Sequence, residues 1–153
     1  MATYAFNETK RLMMTAGLSL TASTTKALLV KTTFSSTAGS SPDKDITTIS
    51  GFGTLGEFGG TGYTAGYGNR IVLDSKSVTT DTATDVVEFD ATDEALGVLG
   101  TDGTLEGVLV YSEVGGSDAT AVPLFFLDTN NYAPDGIATV TIAWHADGLA
   151  NMA

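Results

Sequence analysis

Few residues in this 153-residue chain have types and spacing suited to chemistry. His145 is the one histidine. A Ser-His-Asp arrangement would need a poised serine beside it, and no Gly-x-Ser-x-Gly elbow is present, so His145 reads as a solvated or capping residue. The chain has no cysteine. That removes thiolate nucleophiles and disulfides and, with one histidine, the nitrogen and sulfur ligand set of zinc. Carboxylates remain, grouped as Asp43 with Asp45, Asp81 with Asp85, and Asp90 with Asp93 and Glu94. Such oxygens suit calcium, Asp90 and Asp93 best of all, but none has EF-hand spacing, and aspartate caps turns for its own reasons. Two acids facing each other across a cleft could hydrolyse a glycosidic bond, an arrangement that spacing alone does not display. The Gly-rich segment 51–69, GFGTLGEFGGTGYTAGYGN, lacks the GxxxxGK[ST] pattern and a following helix, so it is no phosphate cradle. The expectation is a protein that is not an enzyme and uses neither cofactor nor metal.

The elements that would position these groups are mostly strands. Apolar residues make up 42% of the chain and charged residues 16%, a composition too apolar for disorder. Abundant threonine favours pleated strands, and 18 glycines supply turn positions. Strand signals fall at Ala27 to Phe34, Asp45 to Ser50, Arg70 to Leu73, Asp85 to Phe89, Ala95 to Leu99, Leu105 to Ser112, Ala121 to Asp128 and Ile137 to Trp144. In the last of these, Val140, Ile142 and Trp144 share one side, which predicts a core face. Leu105 to Ser112 is apolar on both sides, as for a strand covered twice or one that lines a partner. Asp102-Gly103 and Asp135-Gly136 read as tight turns, the first a hairpin, and antiparallel pairing follows. The expected fold is all-β: an antiparallel β-sandwich, jelly-roll-like, in a single domain over residues 24–153. Residues 1–23 are expected to form an irregular N-terminal arm, with one or two helical turns at Glu8 to Met14 and a stop at Gly17.

Between Ser35 and Lys44 lies a polar Ser/Gly/Pro stretch. The Gly-rich loop after it carries Leu55 and the rings of Phe52, Phe58, Tyr63 and Tyr67, which a floppy linker would not need. They pack on the chain's own sheet or against a neighbour. No stretch approaches the ~18 apolar residues of a membrane-crossing helix, and no signal-peptide core follows Lys10 and Arg11, so a soluble product is expected.

Net charge is −11, and its placement is uneven. All seven basic residues (Lys10, Arg11, Lys26, Lys31, Lys44, Arg70, Lys76) lie at or before position 76, whereas thirteen of the eighteen acids follow it. Such a balance argues against nucleic acid, whose binding depends on basic phosphate contacts. It serves solubility, or it lets a basic first half dock on an acidic partner.

The segments ALLVKTTF (27–34), GGTGYTAG (59–66), VVEFDATDEA (86–95), GVLVYSE (107–113), PLFFLDT (123–129) and TVTIAWHADGLANM (139–152) follow in order. In that order and spacing the chain resembles a family of small virion structural proteins of tailed bacteriophages. The positions carrying the resemblance are Gly62, Tyr63, Thr64, Ala65 and Gly66; Phe89, Asp90, Ala91 and Asp93; Tyr111; and Trp144 and Gly148. Nearly all of them read as architecture rather than chemistry. The resemblance implies a decoration or cement protein on the capsid surface, which binds the major capsid protein, associates with itself as a homo-trimer or homo-dimer, and touches neither nucleic acid nor membrane. Phe6, Lys10, Arg11, Leu12 and Met13 of the arm, with Phe52, Phe58, Tyr63 and Tyr67 of the loop, are the expected partner-binding residues. Two alternatives stay open: a neck or tail adaptor or fibre-associated protein, and a carbohydrate-binding sandwich for host attachment using Tyr63, Tyr67 and Tyr132.

Overall fold

The structure, a computed structural model, describes residues 3–15, 17–22, 24–34, 45–82, 86–144 and 150–152. His145, Gly148, Asp85 and the whole 35–44 stretch, with Asp43 and Lys44, lie outside the described residues. The described elements, in order, are β1 (Thr3–Ala5), α1 (Asn7–Met14), β2 (Thr25–Lys31), β3 (Ile71–Val72), β4 (Ser77–Asp81), β5 (Val86–Asp90), β6 (Glu94–Val98), β7 (Leu105–Ser112), β8 (Val122–Tyr132), β9 (Thr139–Ile142) and β10 (Ala150–Met152). All pairings are antiparallel, in sheets ordered β1-β8-β7-β2-β3, β10-β5-β4 and β6-β9. The all-β antiparallel character is as the sequence indicates. Sheets of five, three and two strands do not by themselves spell out a jelly roll.

The middle of the large sheet is apolar on both faces because β2 (TKALLVK), β7 (LEGVLVYS) and β8 (VPLFFLDTNNY) carry apolar residues at successive positions. Ala27, Leu29, Val108, Val110, Phe125 and Leu127 join one cluster with Phe89, Leu99 and Trp144. Leu28, Val30, Leu109, Tyr111 and Phe126 join a second with Phe6, Phe34, Ile49 and Phe52. The twofold covering of β7 therefore comes from this chain's own segments. Fully burying one such side chain is worth roughly 1.5–3 kcal/mol, so the two clusters are the main source of stability. Gly107 has no room for more: a Cβ there would lie 2.5 Å from both the Leu127 carbonyl oxygen and the Phe126 ring.

Three expectations are corrected. Residues 3–14 are not an irregular arm. β1 pairs with β8 on the sheet's outer edge, Phe6 is fully buried, and the Thr9 hydroxyl donates to the Pro123 carbonyl at 2.7 Å. Residues 45–50 form no strand, and a short 3-10 turn (Ile49–Gly51) stands at their end. The Ile49 and Ser50 amides bond to the carbonyls of Ala121 and Asp118 in the β7–β8 connection instead of a ladder, and this seats Ile46 and Ile49 in the core. Asp102-Gly103 is a turn but no hairpin, since β6 and β7 belong to different sheets. The Asp102 carboxylate accepts from the Gly59 amide at 2.8 Å and from Lys31 at 3.1 Å, which ties the Gly-rich loop down. Asp135 closes its own turn by accepting from the amides of Ile137 and Ala138, each at 2.8 Å.

Candidate functional site

α1 forms where a run free of proline and glycine follows the extended Phe6. Glu8 lies in its first turn and pairs with Arg11, with the Nη2 to Oε1 distance 2.5 Å. The helix stops where the Gly17 amide reaches back to the Leu12 carbonyl at 2.8 Å. Thr9 is buried, and Met13 and Leu12 are half-buried. Asn7, Lys10, Arg11 and Met14 form the outward face, and Met14 is 88% exposed. Of the arm residues expected to touch a partner, Lys10 and Arg11 are thus at the surface, Leu12 and Met13 lie at its margin, and Phe6 is inside. Phe6 packs edge-on to Phe52 with ring centroids 5.7 Å apart.

The loop aromatics turn inward as well. Phe52 and Phe58 are core residues, Tyr63 is 5% exposed, and Tyr67 is half-buried. Tyr63 and Tyr67 border a polar cluster that no motif in the sequence announces. The Arg70 guanidinium grips two carboxylates at once. Nε and Nη2 donate to Glu57 at 3.1 and 2.9 Å, and Nη1 and Nη2 donate to Asp118 at 2.5 and 3.1 Å. The rings of Tyr67 and Tyr111 lie 5.4 and 5.3 Å from its centre. Burial on its own would lower the Arg70 pKa, and the hydrogen bonds to Glu57 and Asp118 outweigh it, so the group is held charged. The Tyr63 hydroxyl donates to Glu57 at 2.8 Å; burial first, then the Glu57 charge, pushes it far above the ordinary phenol range. Burial, with Glu113 alongside, pushes the Tyr67 hydroxyl up to about 12. These phenols stay protonated at neutral pH, so they act as hydrogen-bond donors and ring surfaces and not as bases.

The cluster also explains the uneven charge along the chain. Lys26 pairs with Glu113 at 2.9 Å, Lys31 with Asp102 at 3.1 Å, and Arg70 with Asp118, so basic residues of the first half are neutralised by acids of the second. The first half is therefore not a free basic face. Three of the carboxylates considered for calcium have partners within the chain. Asp90 accepts from the Ala91 amide at 2.8 Å and Asp93 from the Trp144 amide at 2.9 Å, while Asp45 accepts from Asn7 at 2.5 Å. Among the described residues, no three His, Cys, Asp or Glu side chains converge on a metal position, and no helix is long and apolar enough to cross a membrane.

One apolar cleft of about 350 Å³ lies between the large sheet and β9, with Leu29, Leu105, Leu127, Ile142 and Trp144 among its walls and Tyr132 at its margin. Of the three tyrosines considered for sugar contact, Tyr132 is the well-exposed one, at 39%. Several of the motif positions are fixed by the surrounding framework. Trp144 Nε1 donates to the Thr92 carbonyl at 2.9 Å, Phe89 stacks on Phe125 at 5.7 Å, and Gly62 abuts the Val98 carbonyl so closely that no Cβ fits. Set against protein-family models, curated proteins and solved structures, the chain matches none.

Proposed function

We propose that this chain is a non-enzymatic virion structural protein of a tailed phage, a decoration protein that binds the outer head shell and bridges capsid subunits. The outward face of α1 is its leading contact. The observation that carries the docking surface is the fate of the cations. Lys26, Lys31 and Arg70 are held by carboxylates from distant parts of the chain, whereas Lys10 stands outward beside the exposed Met14, with Arg11 next to it in a surface pair with Glu8 of the same helix. A small basic and apolar face of this kind suits an acidic patch on a capsid subunit. The family reading is supported by the ordered motifs, whose residues interlock as framework: Asp93 with Trp144, Phe89 with Phe125. Binding of this type stabilises a shell by mass action, since it engages only the assembled state, and many weak contacts sum across a lattice.

The copy number of the chain in purified particles, counted by mass spectrometry against the major capsid protein, tests the reading. A number comparable to the capsid protein supports decoration. A number set by a ring, tens of times smaller, moves the chain to the neck or tail, and absence from particles overturns the virion reading. The contact surface is tested by Lys10→Glu with Arg11→Glu. Both side chains are exposed and the Arg11–Glu8 pair given up is a surface one, worth at most about 1 kcal/mol, so the fold stays intact while shell binding weakens by roughly tenfold or more, about 1.4 kcal/mol. Deleting residues 1–20 would not serve, because it removes β1 and the buried Phe6.

A further inference from the structure

We infer that β4 is a self-association edge, through which two copies join their three-stranded sheets across a two-fold axis centred on Thr79. This goes beyond the capsid reading and does not depend on it. β4 pairs with β5 along its whole length, Ser77 opposite Asp90 through Asp81 opposite Val86, without a bulge. Among the described residues, its other edge carries no partner strand. Ser77, Val78, Thr79 and Thr80 are exposed, so β4 stands clear of the body with room for another strand. The usual protections of a free edge are missing from Ser77–Thr80: there is no proline, no charge and no glycine kink. A row of unpaired backbone donors and acceptors on β-branched residues is a template for another extended strand.

The edge fits a copy of itself. A two-fold axis at Thr79 sets Thr79 against Thr79 of the second copy, Val78 against Thr80 and Ser77 against Asp81, so all five positions are paired and no like charges face each other. The neutral middle matters in a chain of net charge −11, whose copies repel each other over most approaches. Two five-residue strands bury less than the 1,200–2,000 Å² of a standard interface, so the contact is weak in free solution and gains strength where copies are held close together.

Because the chain has no cysteine, single cysteines give a clean test. Directly opposed residues of an antiparallel pair have Cα atoms about 4.5–5.5 Å apart, within reach of a disulfide. Under mild copper-phenanthroline oxidation of the full chain, Thr79→Cys is expected to form disulfide dimers at least about tenfold faster than Ile137→Cys, a control at another exposed position. Equal rates would overturn the inference. Charge exchange guards against a trivial folding defect. Thr79→Lys and Thr79→Glu, each kept apart by like charge, should sediment as monomers at concentrations where an equimolar mixture forms dimers. If both single variants associate as the native chain does, β4 is not the interface. Neither result bears on whether the chain is found in particles.

Discussion

Arg70 has 1% of its side chain exposed and holds Glu57 and Asp118, which are 11% and 34% exposed. Removing one partner of such a pair leaves uncompensated charge, so Arg70→Leu should cost ~3 kcal/mol or more in urea unfolding. A loss below ~1 kcal/mol would mean that water already solvates these carboxylates. Glu106 behaves in the opposite sense. Burial first, then the charge of Asp128, raises its carboxyl pKa above the ordinary 4.5. A carboxylate raised on folding works against the fold once it ionises, so Glu106→Gln should raise the melting temperature at pH 7. The gain should disappear below about pH 4, where the side chain is protonated in both states. Glu113 and Asp102 run the other way. The Lys26 hydrogen bond holds the first low, and the Gly59 amide followed by Lys31 holds the second low, so their stabilisation is present at neutral pH and is lost as pH falls through their depressed pKa values.

Among elements, the Gly-rich loop depends on a single close approach. Gly62 has φ of +81° and its α-carbon faces the Val98 carbonyl oxygen. Gly62→Ala combines backbone strain with a clash against backbone, and should destabilise by at least ~2 kcal/mol by thermal unfolding. Strands with strong apolar patterning were legible in the sequence. β7 runs over Leu105–Ser112, as its apolar run indicates, and β2, β5, β6 and β8 fall within a few residues of their expected positions. β4 was not legible, because Ser-Val-Thr-Thr, exposed on both faces, offers no apolar alternation to read. Asp45 to Ser50 misled for the opposite reason: its β-branched residues suit a strand, but the Ile49 and Ser50 amides bond Ala121 and Asp118, in a loop far along the chain. The surface residues Lys10 and Arg11 could be named in advance, whereas the burial of Phe6, Phe52, Phe58 and Tyr63 could not, since ring-rich segments serve cores and interfaces alike. Arg70 gave no signal at all. Its partners Glu57 and Asp118 lie 13 and 48 positions away, and no local spacing encodes such a cluster.

For the molecule as a whole, a net charge of −11 outweighs the few internal ion pairs. Raising the salt from about 10 mM to 150 mM shortens the screening length from about 30 to 8 Å, and should raise the melting temperature. A fall would mean that the ion pairs matter more than the repulsion. The same long-range pairing that buries the large sheet on both faces also sets when the protein can form. β2 lies between β3 and β7, and Thr3 pairs with Leu127. During synthesis, the apolar run Ala27–Val30 must leave the ribosome long before Val108 to Val110 exist to receive it, and β1 waits longer still for β8. Dominated by such distant pairings, the chain should fold in milliseconds to seconds and not in microseconds. Until β7 and β8 are made, the apolar run of β2 is open to any neighbour, so nascent copies are exposed to association for most of the time the chain takes to be synthesised.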